Sequence, residues 1–242
     1  MRFLSIAAAA VALSSSAVFA DDTSATMKPS LVRGTVDSFN GKVLTIKTAA
    51  GAVVSLPVTG STHFATVINK RFSQLKPDDY IGVTAVPGND GHLLAEEIHT
   101  IPLRGMNEGQ YPWGHLPDTD KAGPVMASSM TNGTVMRIHA VPSMTNGTVT
   151  SADGMSQITV RYRGAAMKDG KCEGMAISGQ PGCTGTALVD VTPQTLVQAI
   201  VPSFRPDVKP GLAVVADIMT DAAGHSFLTS AALENNGVKP QF

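Results

Sequence analysis

Short apolar runs separated by glycine set the rhythm of this chain. Apolar residues run or alternate over 31–37, 42–47 and 52–58, with breaks at Asn40-Gly41 and Ala50-Gly51. A period of two punctuated by glycine predicts three short strands joined by tight turns. Residues 62–75 differ. There Phe64, Val67, Ile68, Phe72 and Leu75 fall at helical spacing, which predicts a short helix. The turn Lys76-Pro77-Asp78 leads into a strand at 80–86, and Gly-Asn-Asp-Gly-His at 88–92 leads into another at 93–101. Leu94, Ala95 and Ile98 do not share one parity, so a bulge is expected in that last strand.

The same succession recurs later in the chain. Pro29-Ser30, Gly34-Thr35-Val36, Ser38 and Gly41 match Pro142-Ser143, Gly147-Thr148-Val149, Ser151 and Gly154 at a constant spacing of 113. Farther on the spacing is 133: Val58-Thr59 meets Val191-Thr192, Lys76-Pro77 meets Lys209-Pro210, and Gly91-His92 meets Gly224-His225. Self-similarity over this length marks a duplication. The heptapeptide SMTNGTV occurs at 129–135 and again at 143–149. The match at spacing 113 makes the later one the first strand of copy two and the earlier one a local duplicate. Three strands, a short helix and two strands is the order of an OB-type barrel. The expected fold is therefore all-β with short helices, as two tandem OB-like five-stranded β-barrels. Domain 1 spans 31–101 and domain 2 spans 142–235, with an insertion at 161–186. A Pro/Gly-rich connector at 102–141 joins them, and 21–30 and 236–242 are tails.

The pattern RGTV…LTI…VT…LKPDDYIGV…GHLLAEEI resembles a group of small exported bacterial domains with an OB-like β-barrel fold and no assigned function. The resemblance covers residues 31–101 and, more loosely, 142–235. Asp78 stands where those domains usually carry Gly.

Residues 1–20 read as an export signal. Arg2 is followed by an apolar stretch at 3–13, and Val18-Phe19-Ala20 forms a small-residue cleavage site before Asp21-Asp22. The mature chain, cut near Ala20, is expected in the periplasm or outside the cell, with no transmembrane segment. A net charge of −1 excludes nucleic acid as the natural partner, because phosphate binding needs a basic surface.

Candidate chemistry sits where the two copies differ. The insertion carries both cysteines, Cys172 and Cys183, and in an oxidising compartment such a pair forms a disulfide. The alternative is a metal or redox pair, but the spacing is not Cys-x-x-Cys and no histidine is near. The connector holds Tyr111, His115 and the only tryptophan, Trp113. These are candidate binding residues, because an aromatic group placed in a Pro/Gly-rich segment either packs between domains or meets a ligand. A metal site could be drawn from His92, Glu97, His99 and His225 with Met106 or Met219, although no His-x-His or His-x-x-x-His pair exists.

No Gly-x-Ser-x-Gly elbow and no phosphate-binding Gly loop appears. The reading is an exported, non-catalytic binding or structural protein of the cell envelope. It needs no cofactor, and its partner is a small molecule, a glycan or an envelope protein. Two other readings are a periplasmic metal-handling protein for copper or zinc and a cell-envelope enzyme.

Overall fold

In a computed structural model the chain is described over residues 28–113, 128–140, 155–203 and 208–241. It is all-β. Among these residues the helical turns are single 3-10 turns at Phe72–Gln74 and Asn89–Gly91. The first half supplies β1 (Lys28–Phe39), β2 (Val43–Thr48), β3 (Val53–Pro57), β4 (His63–Asn69), β5 (Tyr80–Pro87) and β6 (Leu93–Thr100). A short strand β7 (Gly109–Trp113) follows. The second half supplies β8 (Ser128–Ala140), β9 (Ser156–Gly164), β10 (Ala166–Lys168), β11 (Lys171–Met175), β12 (Cys183–Val191), β13 (Leu196–Ser203), β14 (Ala213–Thr220) and β15 (Ser226–Leu233). The segment read as a connector thus contains β7 and all of β8.

The strand that opens the second copy is β8. β1 pairs with β2 and skips a residue between Val36 and Ser38; β8 pairs with β9 and skips one between Val135 and Arg137. Gly34 and Gly133 occupy the same place in these pairs. A Cβ on Gly34 would lie 2.3 Å from the Lys47 carbonyl oxygen, and one on Gly133 would lie 2.4 Å from that of Arg161. Neither strand could carry a side chain there. The expectation that 143–149 forms this strand is therefore corrected in favour of 129–135. The later heptapeptide lies outside the described residues. Two identical heptapeptides carry the same local preferences, so long-range pairing decides between them.

From the third strand onward the equivalence expected from the sequence is found in the registers. Ile46 faces Val54 and Leu44 faces Leu56, just as Val160 faces Ala187 and Ile158 faces Val189. The bulge expected in β6 is present. Thr84 pairs Glu97 and Ala85 pairs Ala95, so Glu96 is the extra residue; Thr229 is its counterpart in β15. Asp78 adopts φ 70° and the equivalent Gly211 φ 90°. Both copies need a left-handed residue before their fifth strand, and Asp is among the side chains that tolerate it.

The two halves exchange strands. β1 pairs with β14 of the second half, and β8 pairs with β5 of the first. β15 runs parallel to β4, and β6 runs parallel to β13. The Thr62 hydroxyl donates to the Leu228 carbonyl, and the Thr195 hydroxyl donates to that of Ala95, both at 2.9 Å. The outcome is one 15-stranded mixed sheet in place of the expected pair of self-contained five-stranded barrels. Two hydrophobic clusters lie within it. One gathers Val36, Leu44, Ile46, Leu56 and Phe64 with Val214, Ala216, Leu228 and Leu233. The other gathers Ile81, Val83, Ala95 and Ile98 with Val135, Ile158, Val160, Val189 and Val197.

β4 explains why residues 62–75 mimic a helix. This segment passes from one cluster to the other: Phe64 belongs to the first, while Leu75 belongs to the second with Phe72 packed against it. Its apolar residues therefore serve different cores at different points, which breaks strand alternation. Pairing with β13 and β15 overrides the apparent period. β4 and β13 meet antiparallel at Val67 and Ile200, which are equivalent residues, so the internal two-fold relation passes through this pair.

Candidate functional site

Between the clusters runs a polar seam. Glu97 and His99 lie on β6, with Arg33 on β1 and Asp217 on β14. Glu97 and His99 are 0% and 4% exposed. Burial pushes the Glu97 carboxyl up to about 8, opposed by the charge of Arg33. Burial alone holds the His99 imidazole down to about 4. Desolvation also lowers the Arg33 guanidinium, against the pull of Glu97 and Asp217. Asp217 is raised chiefly by burial; the hydroxyl of Ser230 donates to it, and Arg33 opposes the shift.

β7 lies across one end of this seam. It pairs with β8 along Gly109–Asn132, Tyr111–Met130 and Trp113–Ser128, and β11 pairs with its other side at Gly174–Gln110 and Met175–Gly109. The Tyr111 and Trp113 rings stand edge to face, with centroids 5.9 Å apart. The Tyr111 oxygen accepts from Asn132 Nδ2 at 2.9 Å, and the same amide reaches the Asn107 carbonyl at 2.9 Å. Burial, with the negative charge of Asp217, raises the Tyr111 phenol. Tyr111 is therefore fixed by a side-chain hydrogen bond as well as by strand pairing, and Trp113 by strand pairing, by the Ser128 hydroxyl donating to its carbonyl and by contact with the Tyr111 ring.

Two clefts flank this strand. The smaller, of about 380 Å³, is walled by Leu31, Asp217, Met219 and Ser230 on one side and by Met106, Tyr111, Trp113 and Met175 on the other, with His63 at its edge. The larger, of about 850 Å³, is bordered by His92, Gln110, Tyr111, Tyr162, Lys168, Lys171 and Glu173. Tyr162 Oη lies 2.8 Å from Gln110 Oε1 and 2.9 Å from the Cys172 carbonyl oxygen, its one proton shared between them.

The cysteines form the expected disulfide, with an S–S distance of 2.03 Å, closing a sequence separation of 11. The insertion is more structured than a loop. β10 and β11 form a hairpin, and Cys172 is buried in the second hydrophobic cluster. Of the candidate binding residues, Tyr111 and Trp113 come together; His115 lies outside the described residues. The four residues considered for a metal are dispersed. His92 Nδ1 sits 3.2 Å from Asp190, beside Gln157, and His225 Nδ1 sits 3.1 Å from Asp221. Glu97 and His99 are inside the seam. Among the described residues, no group of three or more His, Cys, Asp or Glu is placed to hold a metal ion. No helix among them is long and apolar enough to cross a membrane.

His63, Met175 and Asp217 were missed by sequence reasoning. A signal for two of them lay in the duplication itself. His63 stands where the other copy has Leu196, and Asp217 stands where it has Thr84, at equivalent points in the pairing. No family model, curated protein or solved structure matches the chain.

Proposed function

We propose that this is an exported, non-catalytic ligand-binding protein of the cell envelope whose site is the smaller cleft under β7. In this reading the sheet is two OB-like barrels whose last two strands have been traded, and β7 closes the space between them. The carrying observation is the Tyr111–Trp113 pair set over an apolar cleft with one half-buried carboxylate, Asp217. Mostly apolar walls with a few polar groups, at this volume, are the form of a small-ligand site. The side chains around it suit holding better than chemistry: thioethers and rings dominate, and Asp217 is already engaged by Ser230. Export and the oxidising compartment are supported by the N-terminal pattern and the disulfide.

The test is native mass spectrometry of the protein released gently from its producing cells, followed by thermal shift with candidate ligands. A bound mass or a ligand-induced shift that disappears in Tyr111→Ala and Trp113→Ala supports the reading. A ligand retained unchanged by both variants places the site elsewhere.

A further inference from the structure

The donors around the cleft under β7 define a ligand class. We propose that the cleft binds a soft monovalent metal ion, Cu(I), through the thioethers of Met106, Met175 and Met219 and the imidazole of His63, beneath the ring of Trp113. This inference rests on the reading of that cleft as a ligand site.

Three sulfur donors and one imidazole border a single hollow of about 380 Å³. The three thioethers favour Cu(I): Zn(II) accepts the imidazole but otherwise takes thiolate or carboxylate, and Mg(II) and Ca(II) take oxygen ligands. The donors come from opposite walls. Met219 stands on β14 two residues from Asp217, and His63 opens β4 in register with Ser230. Met175 ends β11 opposite Gly109, and Met106 lies in the turn before β7. Methionine has three rotatable bonds, so thioethers anchored on separate strands can swing to one centre. The three methionines are half-buried and His63 is exposed, which leaves a route from solvent to sulfurs held in apolar surroundings. Trp113 lines the same hollow, and an aromatic face attracts a cation.

A second observation comes from comparing the copies. Asp217 and Met219 of the second half stand where the first half has Thr84 and Val86, and His63 of the first half stands where the second has Leu196. Met175 belongs to the insertion that the first copy lacks. The registers are kept while the side chains differ, and the differences collect at one cleft. A purely structural duplicate gives no reason for soft donors to gather on one side only.

The sole tryptophan makes the test direct. Oxidised protein is titrated in chloride-free buffer with Ag(I), a redox-inert stand-in, and anaerobically with Cu(I) against a chromogenic chelator. The expected result is one equivalent bound, with quenching of Trp113 emission. The triple substitution Met106→Leu, Met175→Leu, Met219→Leu keeps volume and fold and should lower affinity by about 100-fold or more, since loss of an outer-shell partner alone costs about 10–100-fold. Near-ultraviolet circular dichroism checks that the variant is folded, and Met219→Leu alone gives a milder variant. Absence of stoichiometric Ag(I) and Cu(I) binding overturns the inference, as does binding that the folded triple variant retains. If metals fail while an organic ligand still shifts melting in a Trp113-dependent manner, the metal inference falls and the cleft reading stands. If neither binds, both fall.

Discussion

Replacing Gly133 with Ala probes the assignment of the first strand of the second copy. A Cβ there would sit 2.4 Å from the Arg161 carbonyl oxygen and 2.9 Å from Val160 Cγ1, against ordinary contacts of 3.4–4 Å. The carbonyl belongs to the backbone of β9 and cannot rotate away, so β8 must move off by roughly 1 Å. Overpacking of this kind costs about 1–3 kcal/mol. Opening the ladder beside Thr134–Arg161 and Val135–Val160 adds about 1 kcal/mol for each hydrogen bond lost. A total of about 3 kcal/mol lowers the melting temperature of a chain this size by about 10 °C. Gly34→Ala, at 2.3 Å from the Lys47 carbonyl, should cost a similar amount through the other cluster. Calorimetry or urea unfolding of the two variants measures this. Stability within about 0.5 kcal/mol of the parent for Gly133→Ala would falsify the placement of 129–135 against β9.

Three further outcomes follow from the same geometry. Thr62→Val removes a buried hydrogen bond to the opposite half and Thr195→Val a partly buried one, and each should cost about 1–3 kcal/mol in urea unfolding; a neutral result for both contradicts the strand exchange. Cys172→Ser with Cys183→Ser should cost about 3 kcal/mol from loop closure, and more from placing a hydroxyl in the cluster that holds Cys172; a smaller loss argues that the sulfur is not core. The pH dependence has a defined sign. Glu97 keeps its proton in the fold up to about 8 while the unfolded carboxyl ionises near 4.5, so its contribution to stability falls as pH rises across that window. His99 stays neutral down to about 4 against 6.5 unfolded, so its contribution falls as pH drops through that window. The two oppose each other between 4.5 and 6.5, and from 6.5 to 8 the Glu97 decline is no longer offset by His99; Asp217, also raised, contributes with the same sign as Glu97. Glu97→Gln should flatten that decline in melting temperature, and an unchanged slope would refute the assignment.

What the sequence made legible was local. Strand alternation, glycine turns, the bulge beside Glu96 and the single cysteine pairing depend on near neighbours, and each is found. The strand exchange was not legible. β5 and β14 are equivalent, so β1 meets similar apolar partners whichever half supplies them. The helical spacing at 62–75 misled for a related reason, since one segment serves two cores. The cleft was half legible. Tyr111 and Trp113 stood out by rarity, but His63, Met175 and Asp217 come from segments far apart in the chain and are assembled only by the exchange. The glutamate and histidine of β6 share a face, as expected, yet that face is sealed in the seam.

The most direct test of the account is a methionine-methyl NMR titration of the mature protein, using whichever ligand the binding screens return. Met106, Met175 and Met219 line the cleft, whereas Met136, Met155 and Met167 are exposed elsewhere. The account predicts that the first three resonances shift together and saturate at one equivalent, while the other three stay in place. Saturable shifts confined to Met136, Met155 or Met167, with the cleft methionines unmoved, would contradict it.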